Sequence, residues 1–263
     1  IRSAIDSIVS QTYTNWELIL VDDGSTDDAP KIMEEYSKKY PNIFYYQNEV
    51  NRGLAATLNI GFSKAKGPYY TWISDDNLFK NNALEVLLKN IDDSDVVYSD
   101  YDSIDELGKF IQANNVGNIK KIIFNYVVGP CFLYKKQCHE AVGGYDESYK
   151  SCEDYDFFLK IYHKGFKFRA ISNNLFLFRN HGAAMSSNSK LLILNTEKAV
   201  IQNAINNAAK ISRTDLSKIY IDRFKKNIYQ FKWNFLAKSF YYNPFYALTK
   251  IIIMLPKILL RII

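Results

Sequence analysis

The stretch Glu17-Leu18-Ile19-Leu20-Val21-Asp22-Asp23-Gly24-Ser25-Thr26-Asp27 decides the fold. An apolar run from Trp16 to Val21 stops at two carboxylates, a glycine and a hydroxyl. A short apolar run closed by turn residues reads as a buried strand. Asp-Gly-Ser supplies the turn at its carboxyl end, and a helix is expected over Asp27–Lys39. Upstream, Ile1–Ser10 has the apolar spacing of a helix face. Downstream, Ile43–Tyr46 reads as a strand, and Leu54–Ala65 as a helix stopped by Gly67-Pro68. Tyr69–Ile73 reads as a strand ending in Ser74-Asp75-Asp76-Asn77, Leu78–Asn90 as a helix, and Asp95–Ser99 as a strand. Strands separated by helices imply βαβ crossovers, hence an α/β fold with a mainly parallel sheet flanked by helices.

Residues 100–180 are less regular. Strands are expected at Gly129–Lys135, Phe166–Ile171 and Leu175–Phe178, and helices at Lys136–Val142 and Glu153–Lys164. Residues 189–210 read as helical. Hydrophobic residues make up 48% of the 263, which excludes a disordered chain. Cys131, Cys138 and Cys152 are too few for a disulfide framework and read as free thiols. The net charge is +5, but residues 215–263 hold nine Lys and Arg against two Asp. That tail is +7 and the remainder is −2, so the positive charge is not spread over a nucleic-acid footprint. The chain opens on a helix without a leading Met or signal peptide, and it reads as an internal fragment whose first element is missing.

In open α/β sheets, ligands bind beyond the carboxyl ends of the strands. Asp22-Asp23 and Asp75-Asp76 both fall at such ends. Clustered carboxylates repel one another, so a cation or a hydrogen-bonding ligand is expected among them. Mg²⁺ or Mn²⁺ suits oxygen ligands and would also hold a diphosphate. Turn and helix-cap chemistry is the alternative for either pair alone. Glu153-Asp154 opens a helix, where acids complement the dipole; the functional alternative is a general base. His181 follows a strand-like run and is either a surface residue or an imidazole ligand beside the carboxylates.

Together these residues resemble the family 2 glycosyltransferases, inverting enzymes of the GT-A fold. The likeness runs from Ile1 to about Ser187. It is carried by the Glu17–Asp27 stretch, by Asn51-Arg52-Gly53 with Asn59-Ile60-Gly61, and by Gly143-Gly144-Tyr145-Asp146-Glu147 with Glu153-Asp154-Tyr155-Asp156. Phe178-Arg179-Asn180-His181, followed by Ser186, completes it. The resemblance implies that Asp23 hydrogen-bonds the nucleotide base, typically uracil, with Asp22 supporting the loop. It implies that Asp76 ligates the metal, that Asp75 lies nearer the ribose or shares the metal, and that His181 contacts metal or diphosphate. Asp154 becomes the general base, and Glu153 orients the acceptor. Three departures stand out. The family's opening strand is absent, which predicts an inactive or unstable chain. The usual Asp-x-Asp begins at Ile73, so Asp76 compensates. Leu58 stands where an Arg is common, with Arg52 as the replacement diphosphate contact.

A catalytic domain over residues 1–212 and a basic, amphipathic helical tail over 213–263 are therefore expected. In the tail, Lys250, Lys257 and Arg261 fall on one helical face among apolar residues. No run is long enough to span a bilayer, so an interfacial helix on an anionic membrane surface fits best. Aromatic–cation interleaving could bind single-stranded nucleic acid, but the apolar excess argues against it. Packing on the catalytic domain or in a homodimer is the plain alternative. The sequence thus reads as a metal-dependent inverting glycosyltransferase using a nucleotide-sugar, most simply a UDP-sugar. Its acceptor is a hydroxyl of a glycan or lipid-linked glycan in cell-surface polysaccharide synthesis at the cytoplasmic face of the plasma membrane. A non-catalytic nucleotide-sugar-binding protein is the first alternative. Another Mg²⁺-dependent phosphoryl or nucleotidyl transferase is the second, though no P-loop pattern supports it.

Overall fold

The computed structural model describes residues 1–182, 189–226 and 233–250. The chain divides into two compact units, Ile1–Asn195 and Thr196–Ile263.

The first unit opens with helix α1 (Arg2–Val9), which buries Ala4, Ile5 and Ile8 on one face. Strand β1 (Leu18–Asp22) pairs in parallel with β2 (Ile43–Gln47), Leu18 opposite Ile43 and Asp22 opposite Gln47. Helix α2 (Ala29–Lys39) makes the crossover. Ile5, Leu20, Met33 and Ile43 form the core beneath this pair. Helix α3 (Leu54–Lys64) follows and turns Ala55 and Ala56 inward.

The remaining strands form two four-stranded sheets. One runs β3 (Tyr69–Tyr70), β8 (Phe132–Lys135), β5 (Val96–Ser99), β9 (Phe168–Ile171). The other runs β4 (Leu78–Phe79), β10 (Phe176–Arg179), β6 (Tyr101–Ile104), β7 (Phe110–Asn114). Every residue of β5 is buried, as a central strand covered on both faces requires. Strand periodicity sorts β8 between two layers. Leu133 joins Leu87 of helix α4 (Ala83–Lys89) and Val97 in one core cluster. Phe132 and Tyr134 point the other way and meet helix α6 (Glu153–His163), at ring distances of 4.9 Å to Phe158 and 5.2 Å to Phe157. Helix α5 (Lys136–Val142) follows β8 directly. Truncating a buried Phe of this kind costs about 3–5 kcal/mol, so α6 is held firmly by its inner face.

The α/β class expected from the alternation is the class observed, and three pairings are parallel: β1–β2, β10–β6 and β5–β9. Four others are antiparallel, so the sheets are more mixed than the alternation implied. Two local expectations need correcting. The third strand is only Tyr69–Tyr70, and Thr71–Ile73 continue as irregular chain toward the acidic loop. The helix expected from Leu78 begins at Ala83, because Leu78 and Phe79 pair with Leu177 and Phe176 instead.

Helix α7 (Ser189–Asn206) runs across the division at Asn195, and the second unit continues with α8 (Arg213–Lys226) and α9 (Trp233–Tyr242). Ser212 accepts from the Asp215 N–H at 3.0 Å and donates to its carboxylate at 2.7 Å, capping the start of α8. Ser217 and Ser239 let α8 and α9 approach until their hydroxyls lie 2.9 Å apart. Tyr220, Ile221 and Phe235 form the core there. No described helix is long and apolar enough to cross a membrane. Ser186, Lys257 and Arg261 lie outside the described residues.

Candidate active site

The β1 turn is built by its own carboxylates. Asp22 is buried; its Oδ1 accepts the Ser25 N–H at 3.1 Å and its Oδ2 accepts Gln47 Nε2 at 3.1 Å. Gly24 adopts φ +78°, and a Cβ there would stand 3.0 Å from the Asn51 nitrogen. Asp23 reaches across to the loop before α3. It accepts Asn48 Nδ2 at 2.9 Å and the N–H groups of Arg52 and Gly53 at 2.9 and 2.8 Å. Burial alone would raise the Asp23 carboxyl. The Arg52 N–H, the Asn48 amide, the Gly53 N–H and the Thr57 hydroxyl outweigh it and hold the group below the usual carboxylate range. Arg52 is exposed, and its backbone rather than its guanidinium meets Asp23. An open hollow of about 540 Å³ lies beside this turn, lined by Gly24, Ser25, Thr26, Gln47, Asn48 and Glu49.

A second cluster joins residues about a hundred positions apart. His181 Nε2 lies 2.8 Å from Asp76 Oδ2. Asp76 Oδ1 is buried without a hydrogen-bond partner. Arg179 fastens the loop: its Nε donates to the Asp76 carbonyl at 2.9 Å, and its backbone N–H to Asn77 Oδ1 at 2.8 Å. Its remaining guanidinium nitrogen reaches the carbonyls of Asp105 and Glu106 at 3.1 and 2.9 Å, in the turn of the β6–β7 hairpin. Asp75 is exposed on the same loop. Among the described residues, no group of three or more His, Cys, Asp or Glu is arranged to hold a metal ion.

The third cluster is the start of α6. Cys152 precedes it at φ +66°, the one non-glycine residue with positive φ among those described. Glu153 is 5% exposed, and its Oε2 has no partner. Burial, and then the charge of Asp154, push its carboxyl up to about 7. Burial also raises half-buried Asp154, while the Tyr126 hydroxyl and the N–H groups of Tyr155 and Asp154 pull it back in part. The two carboxyls thus share one helix start, and burial raises both.

Two struts connect the clusters. Asn59, in the middle of α3, donates to the Tyr145 carbonyl at 2.9 Å and to Glu147 at 3.1 Å, and accepts the Tyr145 N–H at 2.9 Å. Trp72, just before the acidic loop, donates to the Tyr145 hydroxyl at 3.0 Å. Tyr145 in turn stacks on Phe157 of α6, centroids 4.2 Å apart. The Asn59 and Gly144–Glu147 motifs are therefore one structural device. Sequence reasoning did not single out Tyr126 or Trp72, whose partners lie far along the chain.

A model of glycosyl transferase family 2 matches residues 1–142. The chain belongs to that family. Among family 2 relatives, an uncharacterized glycosyltransferase of Rickettsia typhi is 34% identical over 173 residues, 60% of this chain and 53% of the relative. Glycosyltransferase GlyA of Streptococcus pneumoniae is 27% identical over 227 residues, 85% of this chain and 30% of that protein. Across the first curated Rickettsia relatives, the match spans between 19% and 53% of the relative's length. TarS of S. aureus, solved in complex with UDP-GlcNAc, superposes with a TM-score of 0.68 at 19% identity, covering 85% of this chain and 68% of that one. That likeness establishes the GT-A fold expected of this family 2 chain.

Proposed function

We propose that the protein transfers a sugar from a UDP-sugar to a hydroxyl acceptor with inversion of configuration. The observation that carries this reading is the Glu153–Asp154 pair at the start of α6, one carboxyl raised to about 7, the other raised by burial and drawn back in part by the Tyr126 hydroxyl. Asp154 takes the proton of the acceptor hydroxyl as that oxygen attacks the anomeric carbon. The bond from that carbon to the diphosphate oxygen breaks, its electrons leave with UDP, and a single displacement inverts the centre. Glu153, whose carboxyl is raised by burial and by the charge of Asp154, orients the acceptor.

The donor reading is supported by the hollow at the Asp22–Asp23 turn and by the shared fold of a protein solved with UDP-GlcNAc. The Asp76–His181 pair, with the unpartnered Asp76 Oδ1, fits a divalent cation of the Mg²⁺ or Mn²⁺ kind. Asp76 and His181 would hold it, with Asp75 on the same loop. Such an ion neutralises charge developing on the leaving diphosphate. The setting we propose is synthesis of a cell-surface glycan at the cytoplasmic face of the membrane.

Release of UDP from a panel of UDP-sugars, with and without Mn²⁺, tests the reading. Asp154→Asn should lower turnover by roughly a thousandfold, a loss on the scale of general-base catalysis, while UDP binding by calorimetry persists. UDP binding without turnover in the parent protein would favour a non-catalytic nucleotide-sugar-binding role.

A further inference from the structure

Helix α9 and the helical residues 244–250 expose an apolar ridge. Tyr241, Phe245 and Leu248 are 79%, 82% and 50% exposed. Phe245 and Leu248, three apart, share one face of the second segment, and Tyr241 lies in the last turn of α9, just before the break at Asn243. The face turned inward carries the small residues Ser239 and Ala247, both buried. Phe235, Tyr242 and Tyr246 of the same helices pack on the core, so the three exposed groups are additional apolar surface that this core does not use. The orientation is fixed by Asn243, which accepts the Tyr246 N–H on Oδ1 at 3.0 Å and donates to Thr214 at 3.0 Å.

The surroundings are cationic. Lys238 lies 5.5 Å above the Tyr220 ring, and Lys250 lies 5.5 Å above Tyr246. Residues 196–263 carry twelve Lys and Arg against three Asp and Glu, so this unit is strongly positive while residues 1–195 are net negative. We propose that the ridge is the seat of an anionic lipid surface. Tyr241, Phe245 and Leu248 enter the boundary between headgroups and acyl chains, and Lys238 and Lys250 meet the lipid phosphates. A second copy of this chain would bring the same positive charge against the ridge, whereas an anionic leaflet complements it. The inference deepens the membrane-side setting proposed above and rests on it.

Flotation of the full chain with vesicles tests it. Vesicles of equimolar phosphatidylglycerol and phosphatidylcholine should carry the protein upward, and phosphatidylcholine alone should not. Replacing Tyr241, Phe245 and Leu248 together by Ser should lower partitioning roughly tenfold or more with an unchanged melting temperature, since these side chains are exposed. Phe245→Trp gives a second readout that does not depend on the triple variant folding. Its added fluorescence should shift to the blue and be quenched by brominated lipid. If the parent and the triple variant float equally and the Trp is not quenched, the ridge assignment fails while the membrane setting stands. If the parent does not float at all, both fail. A dimer in solution that the triple variant makes monomeric, without flotation of the parent, would assign the ridge to a second copy instead.

Discussion

Replacing Glu153 by Gln should make the protein more stable at pH 8, although it alters a buried side chain. The carboxyl ionises near 4.5 in an ordinary setting and at about 7 here. Below the lower value, folded and unfolded chains both carry the proton, and the site contributes nothing to the pH dependence. Between the two values the unfolded chain ionises while the folded chain keeps its proton, so stability falls as pH rises. Above about 7 the loss is complete. A gap of about 2.5 pH units at about 1.4 kcal/mol each gives an upper limit of about 3–4 kcal/mol. Gln has nearly the same shape and never ionises, so it removes this loss. Its amide leaves a donor unpaired beside Asp154, which costs about 1 kcal/mol. The net expectation is a gain of roughly 1–2 kcal/mol at pH 8 and a small loss at pH 5. Urea unfolding of both proteins across this range, with equal denaturant slopes, measures it. Parallel pH curves for parent and variant, or a variant less stable at pH 8, would refute the reasoning.

Other expectations follow from the struts and turns. Asn59→Ala leaves the Tyr145 N–H and carbonyl unpaired and should cost about 2–4 kcal/mol in urea unfolding. Asn59→Asp should cost more, because a carboxylate would face the Tyr145 carbonyl and Glu147; equal stability of the two variants would undo this account of the strut. Gly143→Ala meets nothing within 4 Å and should lose only the left-handed backbone cost of about 1 kcal/mol. Gly144→Ala would place a Cβ 2.7 Å from Asn59 Oδ1 and should lose clearly more; thermal melts of the pair decide. Stability contributed by Asp23 should be present at neutral pH and disappear as pH falls below its ordinary value of 3.8, an acid limb that Asp23→Asn flattens.

What could be read directly from sequence was whatever the chain builds locally. The Glu17–Asp27 stretch contains both its strand and its turn, and Asp22 satisfies its own Ser25. The Leu78–Phe79 strand was read as helix because its pairing partners lie almost a hundred residues away, and two apolar residues fit either period. The β6–β7 hairpin went unread because β7 is exposed at Phe110 and Ile111, without the alternation that marks a half-buried strand. At the site, Asp76, Asp75 and His181 are the metal ligands expected from sequence; the structure puts Asp76 and His181 2.8 Å apart and leaves Asp75 exposed, and among the described residues no group of three is arranged to hold an ion. The raised state of Glu153 was not legible, since it depends on burial contributed by other elements and on Asp154 next to it. Arg52 shows another limit: the sequence suggests a diphosphate contact there, whereas the bond from its backbone N–H to Asp23, 29 residues away, carries no signal in the side-chain pattern.

Asp23 grips the start of α3, and Asn59 grips Tyr145 from the middle of the same helix. Substitutions near residues 48–53 and near 145–147 are therefore epistatic in a mechanical sense, because each group resets the seat of a shared rod. Free energies of changes in the two loops should fail to add by about 0.5–3 kcal/mol, although neither loop lies beside the other in sequence. Anyone varying the two loops separately would find that the two libraries have to be searched together.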